Sequence, residues 1–225
     1  MFIAEVYESF QGEGPWARTE SLFIRTSGCN LRCWFCDTPH TSWQPQGDQR
    51  TLDELAAAVA DSNAPHVVIT GGEPMLAAQL TELTELCRDA SKVITIETAG
   101  TVDRSVECDL MAISPKRPNS APDDAGWRIR HEETRHQPAV VRSLLDRYNC
   151  ILKFVINDEI DVDDVCRYVQ EFPDVGSDQV WLMPQARDND ELQSRLNWVK
   201  AAAKKHAFQC SSRLQIERYG NVRGI

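Results

Sequence analysis

Long apolar runs are missing from this sequence of 225 residues. A membrane-spanning helix needs roughly 20 consecutive apolar residues, and no stretch approaches that length. Met1 to Gln11 lacks the basic segment and apolar run of a secretory signal; Met1–Tyr7 reads as a strand instead. A cationic surplus is missing too. Lys and Arg number 24 against 34 Asp and Glu, a formal net charge of −10. Binding along nucleic acid requires neutralised phosphates, so neither nucleic acid nor membrane is an expected partner. Lys204-Lys205 reads as solvated helix surface. No internal repeat and no linker divides the chain, so residues 1–225 are expected to form a single domain, in the cytoplasm.

A disulfide framework is also not expected. Such frameworks belong to short secreted chains. Five of the eight cysteines, Cys87, Cys108, Cys150, Cys166 and Cys210, are scattered in apolar surroundings and read as small buried hydrophobes. The other three are clustered.

What is present is an alternation of short Val-, Ile- and Phe-rich runs with helical patterns. Candidate strands are Leu22–Thr26, His66–Thr70, Val93–Glu97, Leu110–Ser114, Ile151–Ile156 and Val180–Met183. Thr51 and Glu54 have the spacing of a capping box. Leu76–Ala90, Asp161–Phe172 (with Asp161 as N-cap) and Asp190–His206 read as helices. This alternation predicts an α/β fold with a parallel sheet. Periodicity leaves open whether the sheet closes into a full or partial barrel or stays open and doubly wound. Arg117–Gln137 reads as a long irregular loop or lid, and Arg213–Glu217 as a final strand leading into a Gly-containing tail.

The unusual side chains follow the strands. Gly28-Cys29, Gly71-Gly72-Glu73-Pro74, Glu97-Thr98-Ala99-Gly100, Ser114-Pro115-Lys116 and Pro184-Gln185 each lie just after a predicted strand. Functional sites of parallel α/β architectures lie at the carboxyl ends of the strands. Cys29, Cys33 and Cys36 form a C-x3-C-x2-C motif with Phe35 before the last cysteine. Three thiolates so spaced can hold three irons of a cubane and leave the fourth iron open. A zinc site completed by His40 is the alternative ligand set.

The cysteine spacing, the aromatic at Phe35 and the Gly71–Pro74 segment resemble the radical-SAM superfamily. Phe10-Gln11-Gly12-Glu13-Gly14, Phe23-Ile24-Arg25, Gly28-Cys29-Asn30, Cys36-Asp37-Thr38, Ser114-Pro115-Lys116, Leu152-Lys153 and Tyr219–Ile225 narrow the resemblance to the 7-carboxy-7-deazaguanine synthase family. That family often has Gly and Pro where this chain has Arg18 and Glu20.

The resemblance implies a partial (β/α)6-type barrel, mainly parallel, with its site at the strand C-terminal ends. It implies a carbon–nitrogen lyase that converts 6-carboxy-5,6,7,8-tetrahydropterin to 7-carboxy-7-deazaguanine with loss of ammonia, in queuosine and 7-deazapurine biosynthesis. The implied cofactors are a [4Fe–4S] cluster on Cys29, Cys33 and Cys36, S-adenosylmethionine (SAM), and Mg²⁺ on Thr38. Phe35, Gly72, Glu73, Glu97, Ser114, Lys116 and Gln185 are the implied SAM-binding residues. Phe10, Gln11, Gly12, Glu13, Arg25, Thr70 and the main-chain carboxylate of Ile225 are the implied substrate-binding residues, with Arg25 also placed in the catalytic set. The implied partners are a flavodoxin or ferredoxin as electron donor and a second copy of the chain in a homodimer. The competing reading is a radical-SAM activase that makes a glycyl radical on a protein partner.

Overall fold

The computed structural model describes residues 1–224. Nine strands form one sheet: β1 (Phe2–Phe10), β2 (Glu20–Thr26), β3 (Asp48–Gln49), β4 (His66–Gly71), β5 (Val93–Thr98), β6 (Leu110–Ile113), β7 (Cys150–Ile156), β8 (Val180–Pro184) and β9 (Gln209–Cys210). Their spatial order is β3-β1-β2-β4-β5-β6-β7-β8-β9. β1 pairs antiparallel with β2 and β3, and every pairing from β2 to β9 is parallel. The sheet does not close: β3 and β9 are its edges. This is the partial, mainly parallel barrel that the resemblance implied.

Among the described residues eight α-helices accompany the sheet: α1 (Pro39–Ser42), α2 (Leu52–Asp61), α3 (Leu80–Asp89), α4 (Ala125–Arg135), α5 (Pro138–Arg147), α6 (Glu159–Val169), α7 (Asn189–Lys205) and α8 (Leu214–Tyr219). α2 starts with the expected reciprocal cap. The Thr51 N–H donates to Glu54 Oε2 at 2.8 Å, and the Glu54 N–H donates to Thr51 Oγ1 at 3.2 Å.

The strand residues sort by the two-residue period. Leu22, Ile24, Val67, Ile69, Ile94, Ile96, Leu152, Phe154 and Leu182 face the main core under the helices. Their neighbours Phe23, Arg25, Thr70, Glu97, Ala112, Lys153, Val155 and Met183 line a cavity on the other face. One face therefore supplies the hydrophobic stabilisation and the other carries polar chemistry. At the lower end of that inner face, Trp16 packs with Leu110, Ala112, Ile151 and Trp181. The segment between β1 and β2 thus plugs the barrel and sets Gln11 and Glu13 as cavity walls. Its turn is closed by Gln11 N–H to Thr19 O and Arg18 N–H to Gln11 O. Arg18 has a φ of 79°, the left-handed region that costs a side-chain-bearing residue energy. The position where the family often has Gly keeps a glycine-like backbone here.

Several expectations are corrected. Arg213–Glu217 is not a strand: Leu214–Tyr219 is helix α8. Leu214 and Ile216 alternate with polar residues as in a strand, but six residues are too few for a helical period to show. Arg117–Gln137 is not an irregular loop. It holds a 3₁₀ turn at Pro118–Ser120 and the whole of α4, which is capped by Asp124 through its Trp127 N–H bond. α5, with Pro138 in its first turn, was not anticipated. The Leu76 repeat divides into a 3₁₀ turn at Pro74–Leu76 and α3, which starts at Leu80. α6 begins after Asp158; Asp161 sits inside it and accepts the Asn157 and Asp158 N–H groups. No helix among the described residues is long and apolar enough to cross a membrane.

Candidate active site

The strand C-termini open into a cavity of about 340 Å³. Cys29, Cys33 and Cys36 line it together, on a loop between β2 and α1. Gly28 starts that loop at a φ of 106°. The loop carbonyls are tied down: Arg32 Nη1 donates to Cys29 O at 2.8 Å and to Leu31 O at 2.7 Å, and Trp43 Nε1 donates to Cys33 O at 3.0 Å. The Leu31 N–H donates to Cys29 Sγ at 3.4 Å, and Ser42 Oγ and Cys36 Sγ share a hydrogen bond at 3.2 Å.

Burial pushes the Cys29 thiol up to about 11 and the Cys33 thiol to about 12, and raises Cys36 as well. Three buried thiols become thiolates when cations lie between them, and the irons of a cluster would supply that charge. Among the described residues no three His, Cys, Asp or Glu side chains converge as one mononuclear ion would require. Cysteines that each hold a different iron of a cube need no such convergence. His40, the proposed fourth zinc ligand, lies 3.5 Å from Glu5 in an ion-pair position. The residues present fit a cubane.

The Gly71–Pro74 segment docks against this loop. A Cβ on Gly72 would stand 2.1 Å from Gly28 O and 2.7 Å from Thr41 O. Glycine is thus needed for the cluster loop to pack on the end of β4, besides any approach by a ligand. Glu73 is 1% exposed and does not line the cavity. Its carboxylate accepts from Thr98 Oγ1 at 2.8 Å, Ala99 N–H at 2.8 Å and Met75 N–H at 3.0 Å. Burial raises its pKa against those hydrogen bonds. Glu73 ties the end of β4 to the end of β5, while the Gly71 and Gly72 backbone faces the cavity.

Phe35, Ser114, Lys116 and Gln185 line the same space. Lys116 Nζ donates to Ser114 O and to Ser114 Oγ, both at 2.7 Å, which folds Ser114-Pro115-Lys116 into one compact unit. Gln185 is 1% exposed and its Oε1 has no partner among the described residues. A buried amide oxygen without a donor costs about 1–3 kcal/mol, so a ligand N–H or O–H placed there would relieve it.

A polar network lines the same cavity. Glu97 accepts from Thr70 Oγ1 at 2.9 Å and from Gln11 Nε2 at 3.2 Å. Glu13 accepts from Lys153 Nζ at 2.5 Å, Gln215 Nε2 at 2.8 Å and Arg213 Nε at 3.2 Å. Arg213 also pairs with Asp37, beside Cys36. Burial alone would raise the Glu13 pKa, but Lys153 and Arg213 outweigh it and hold the carboxyl at about 2. The same pairing overcomes burial at Lys153 and holds its ammonium well above the ordinary lysine range. Gly12 lies so close to Gln215 that a Cβ would meet its Oε1. Phe10 and Gly12 line the cavity beside this wall.

Arg25 lines the cavity and is tied on two sides, Nε to Glu5 Oε2 at 2.8 Å and Nη2 to the Tyr7 hydroxyl at 2.8 Å. Thr38 precedes α1, and its hydroxyl makes no capping bond; Thr41 Oγ1 approaches it at 3.4 Å. The tail from Tyr219 to Gly224 lines the mouth, where Arg223 Nε donates to Glu5 Oε1 at 2.6 Å. Ile225 lies outside the described residues.

Sequence reasoning missed Lys153 as a site residue, although a lone cation inside an apolar strand was the available signal. It also missed Arg213, Gln215, Asp37 and Tyr7, which carried no separate signal.

The radical SAM superfamily model matches residues 23–134. The 7-carboxy-7-deazaguanine synthase of Rhodopirellula baltica is 42% identical over 100% of this chain and 88% of its own length. That of Halobacterium salinarum is 38% identical over 98% of this chain and 91% of its own. The crystal structure of QueE from Escherichia coli superposes with a TM-score of 0.70 at 22% identity, covering 95% of this chain and 93% of that one. At that identity the likeness speaks for the fold.

Proposed function

This chain belongs to the 7-carboxy-7-deazaguanine synthase family of radical-SAM enzymes, and from that premise we propose how its cavity divides the work. The chain is a radical-SAM lyase of the 7-deazapurine route, acting on 6-carboxy-5,6,7,8-tetrahydropterin. The glycyl-radical activase reading is overturned by full-length relatives that carry the synthase name.

Cys29, Cys33 and Cys36 would hold the cluster, which with SAM supplies the one-electron chemistry when bound. The protein's own task is to bind, orient and exclude water. Phe35, the Gly72 backbone, Glu97, Ser114, Lys116 and Gln185 take SAM. Glu73 serves this subsite by tying the β4 and β5 ends together. Phe10, Gln11, Gly12, Glu13, Thr70 and Arg25 take the pterin. Arg25 offers its guanidinium to the substrate carboxylate; its bonds to Glu5 and Tyr7 hold it in place for that. Thr38 would hold Mg²⁺ through its hydroxyl. A flavodoxin or ferredoxin supplies the electron, residues 1–225 act as one domain, and two copies associate as a homodimer.

The observation that carries this reading is the shared cavity: the three cysteines and Gln11, Glu13 and Arg25 all line it. The test is anaerobic cluster reconstitution followed by product analysis with carboxytetrahydropterin, SAM, Mg²⁺ and a chemical reductant. The expected product is 7-carboxy-7-deazaguanine, formed without a second protein. Reductive SAM cleavage with no conversion of the pterin would overturn the substrate assignment.

A further inference from the structure

α4 carries only one fully buried residue, His131, and that imidazole is spent on the cluster loop. The Arg32 N–H donates to His131 Nδ1 at 3.2 Å. A nitrogen that accepts carries no proton, so in the neutral ring the proton sits on Nε2. Nε2 lies 2.8 Å from Ser120 Oγ, and that hydroxyl donates to Arg117 O at 2.7 Å. Every donor in the chain from Arg32 to Arg117 thus has one acceptor, and the tautomer is fixed from both ends.

The same brace grips the other side of Cys33. The Trp34 N–H donates to Ser120 O at 3.2 Å, and Trp34 Nε1 donates to Asn119 O at 2.7 Å. Trp127, four residues before His131 and so on the same helix face, lies under the Arg32 guanidinium at 4.1 Å. That guanidinium is the group that holds the Cys29 and Leu31 carbonyls. The residues immediately before and after Cys33 are therefore both bonded to the Asn119–His131 segment.

We infer that His131 is a positioning residue for the iron–sulfur cluster, holding the loop around Cys33 through the Arg32 N–H. The inference rests on the cluster assignment to Cys29, Cys33 and Cys36. Loss of a partner one step removed from a metal ligand typically lowers metal affinity by about 10- to 100-fold. Asn can place an amide oxygen near the Nδ1 position and accept the Arg32 N–H; Leu fills similar space and cannot.

The experiment compares parent, His131→Leu and His131→Asn after anaerobic reconstitution. Iron loss to a chelator and the electron paramagnetic resonance spectrum of the reduced cluster are read for each. Thermal melting of the cluster-free proteins reports folding. His131→Leu is expected to lose iron about 10-fold faster with an altered spectrum, and His131→Asn to stay near the parent. Iron loss at the parent rate in His131→Leu, or equal acceleration in both variants, overturns the inference. Should His131→Leu not fold, His131→Phe decides, because it keeps a ring of similar shape and removes the acceptor of the Arg32 N–H; a parent rate there overturns the inference. A parent protein that binds no cluster would instead overturn the cluster assignment itself.

Discussion

Glu13 and Lys153 are 140 residues apart in sequence, and their side chains meet at 2.5 Å inside the cavity wall. Lys153 stands in the middle of β7, flanked by Leu152 and Phe154, which are both fully buried. Replacing either partner leaves a buried charge with too little compensation, which costs about 3–5 kcal/mol when no group moves in. Arg213 and Gln215 already touch Glu13, so removing Lys153 falls at the lower end. Lys153→Met is expected to destabilise by about 3 kcal/mol and to abolish turnover, read by urea unfolding and product formation.

The same pair sets a pH dependence. The folded-state pKa of Glu13 is lowered to about 2 from an ordinary 4.5. A lowered carboxyl pKa contributes stability that is fully present above the unfolded value and is lost as pH falls through the folded one. Unfolding free energy should therefore decline as pH drops from about 4.5 toward 2, through this group among others. In Glu13→Gln that part of the slope should vanish; an unchanged slope would show that Glu13 is not held ionised by its partners.

Cys29→Ala, Cys33→Ala and Cys36→Ala are each expected to lose the four-iron cluster signal and SAM cleavage. Cys87→Ala is expected to keep both. Cys87 is fully buried in the main core on α3, so its loss costs at most about 1–2 kcal/mol of packing. Iron content and visible absorbance after reconstitution separate the two groups. A full cluster in any of the first three variants would contradict the ligand set.

Thr38→Ala is expected to weaken Mg²⁺ stimulation of turnover and to leave cluster assembly intact. The Thr38 hydroxyl caps no helix, so its loss should barely change stability. Mg²⁺ titration of the rate is the measurement, and an identical titration curve would return Thr38 to a plain turn residue.

Much of the sheet was legible because its strands are β-branched and buried on one face, so periods and breakers mark them within a residue or two. The cysteine loop was legible because its three cysteines lie within eight residues, from Cys29 to Cys36. α4 was not, because it buries only His131 and shows no apolar stripe, while Pro118, Asn119 and Pro122 before it look like loop. α8 was not, because two apolar residues in a six-residue helix match a strand equally well. The Arg213–Glu13 contact spans 200 residues, beyond any local pattern.

That separation bears on how the molecule is made. Leu214 N–H donates to Gly12 O while Arg213 and Gln215 reach Glu13. On the ribosome the three cysteines emerge long before these partners exist. Throughout most of synthesis the cavity lacks one wall, and Glu13 has no arginine beside it. Contacts of such large sequence separation are late and slow to form. Docking of residues 213–215 therefore comes late in folding, and until it happens Cys29, Cys33 and Cys36 face a cavity with one side open.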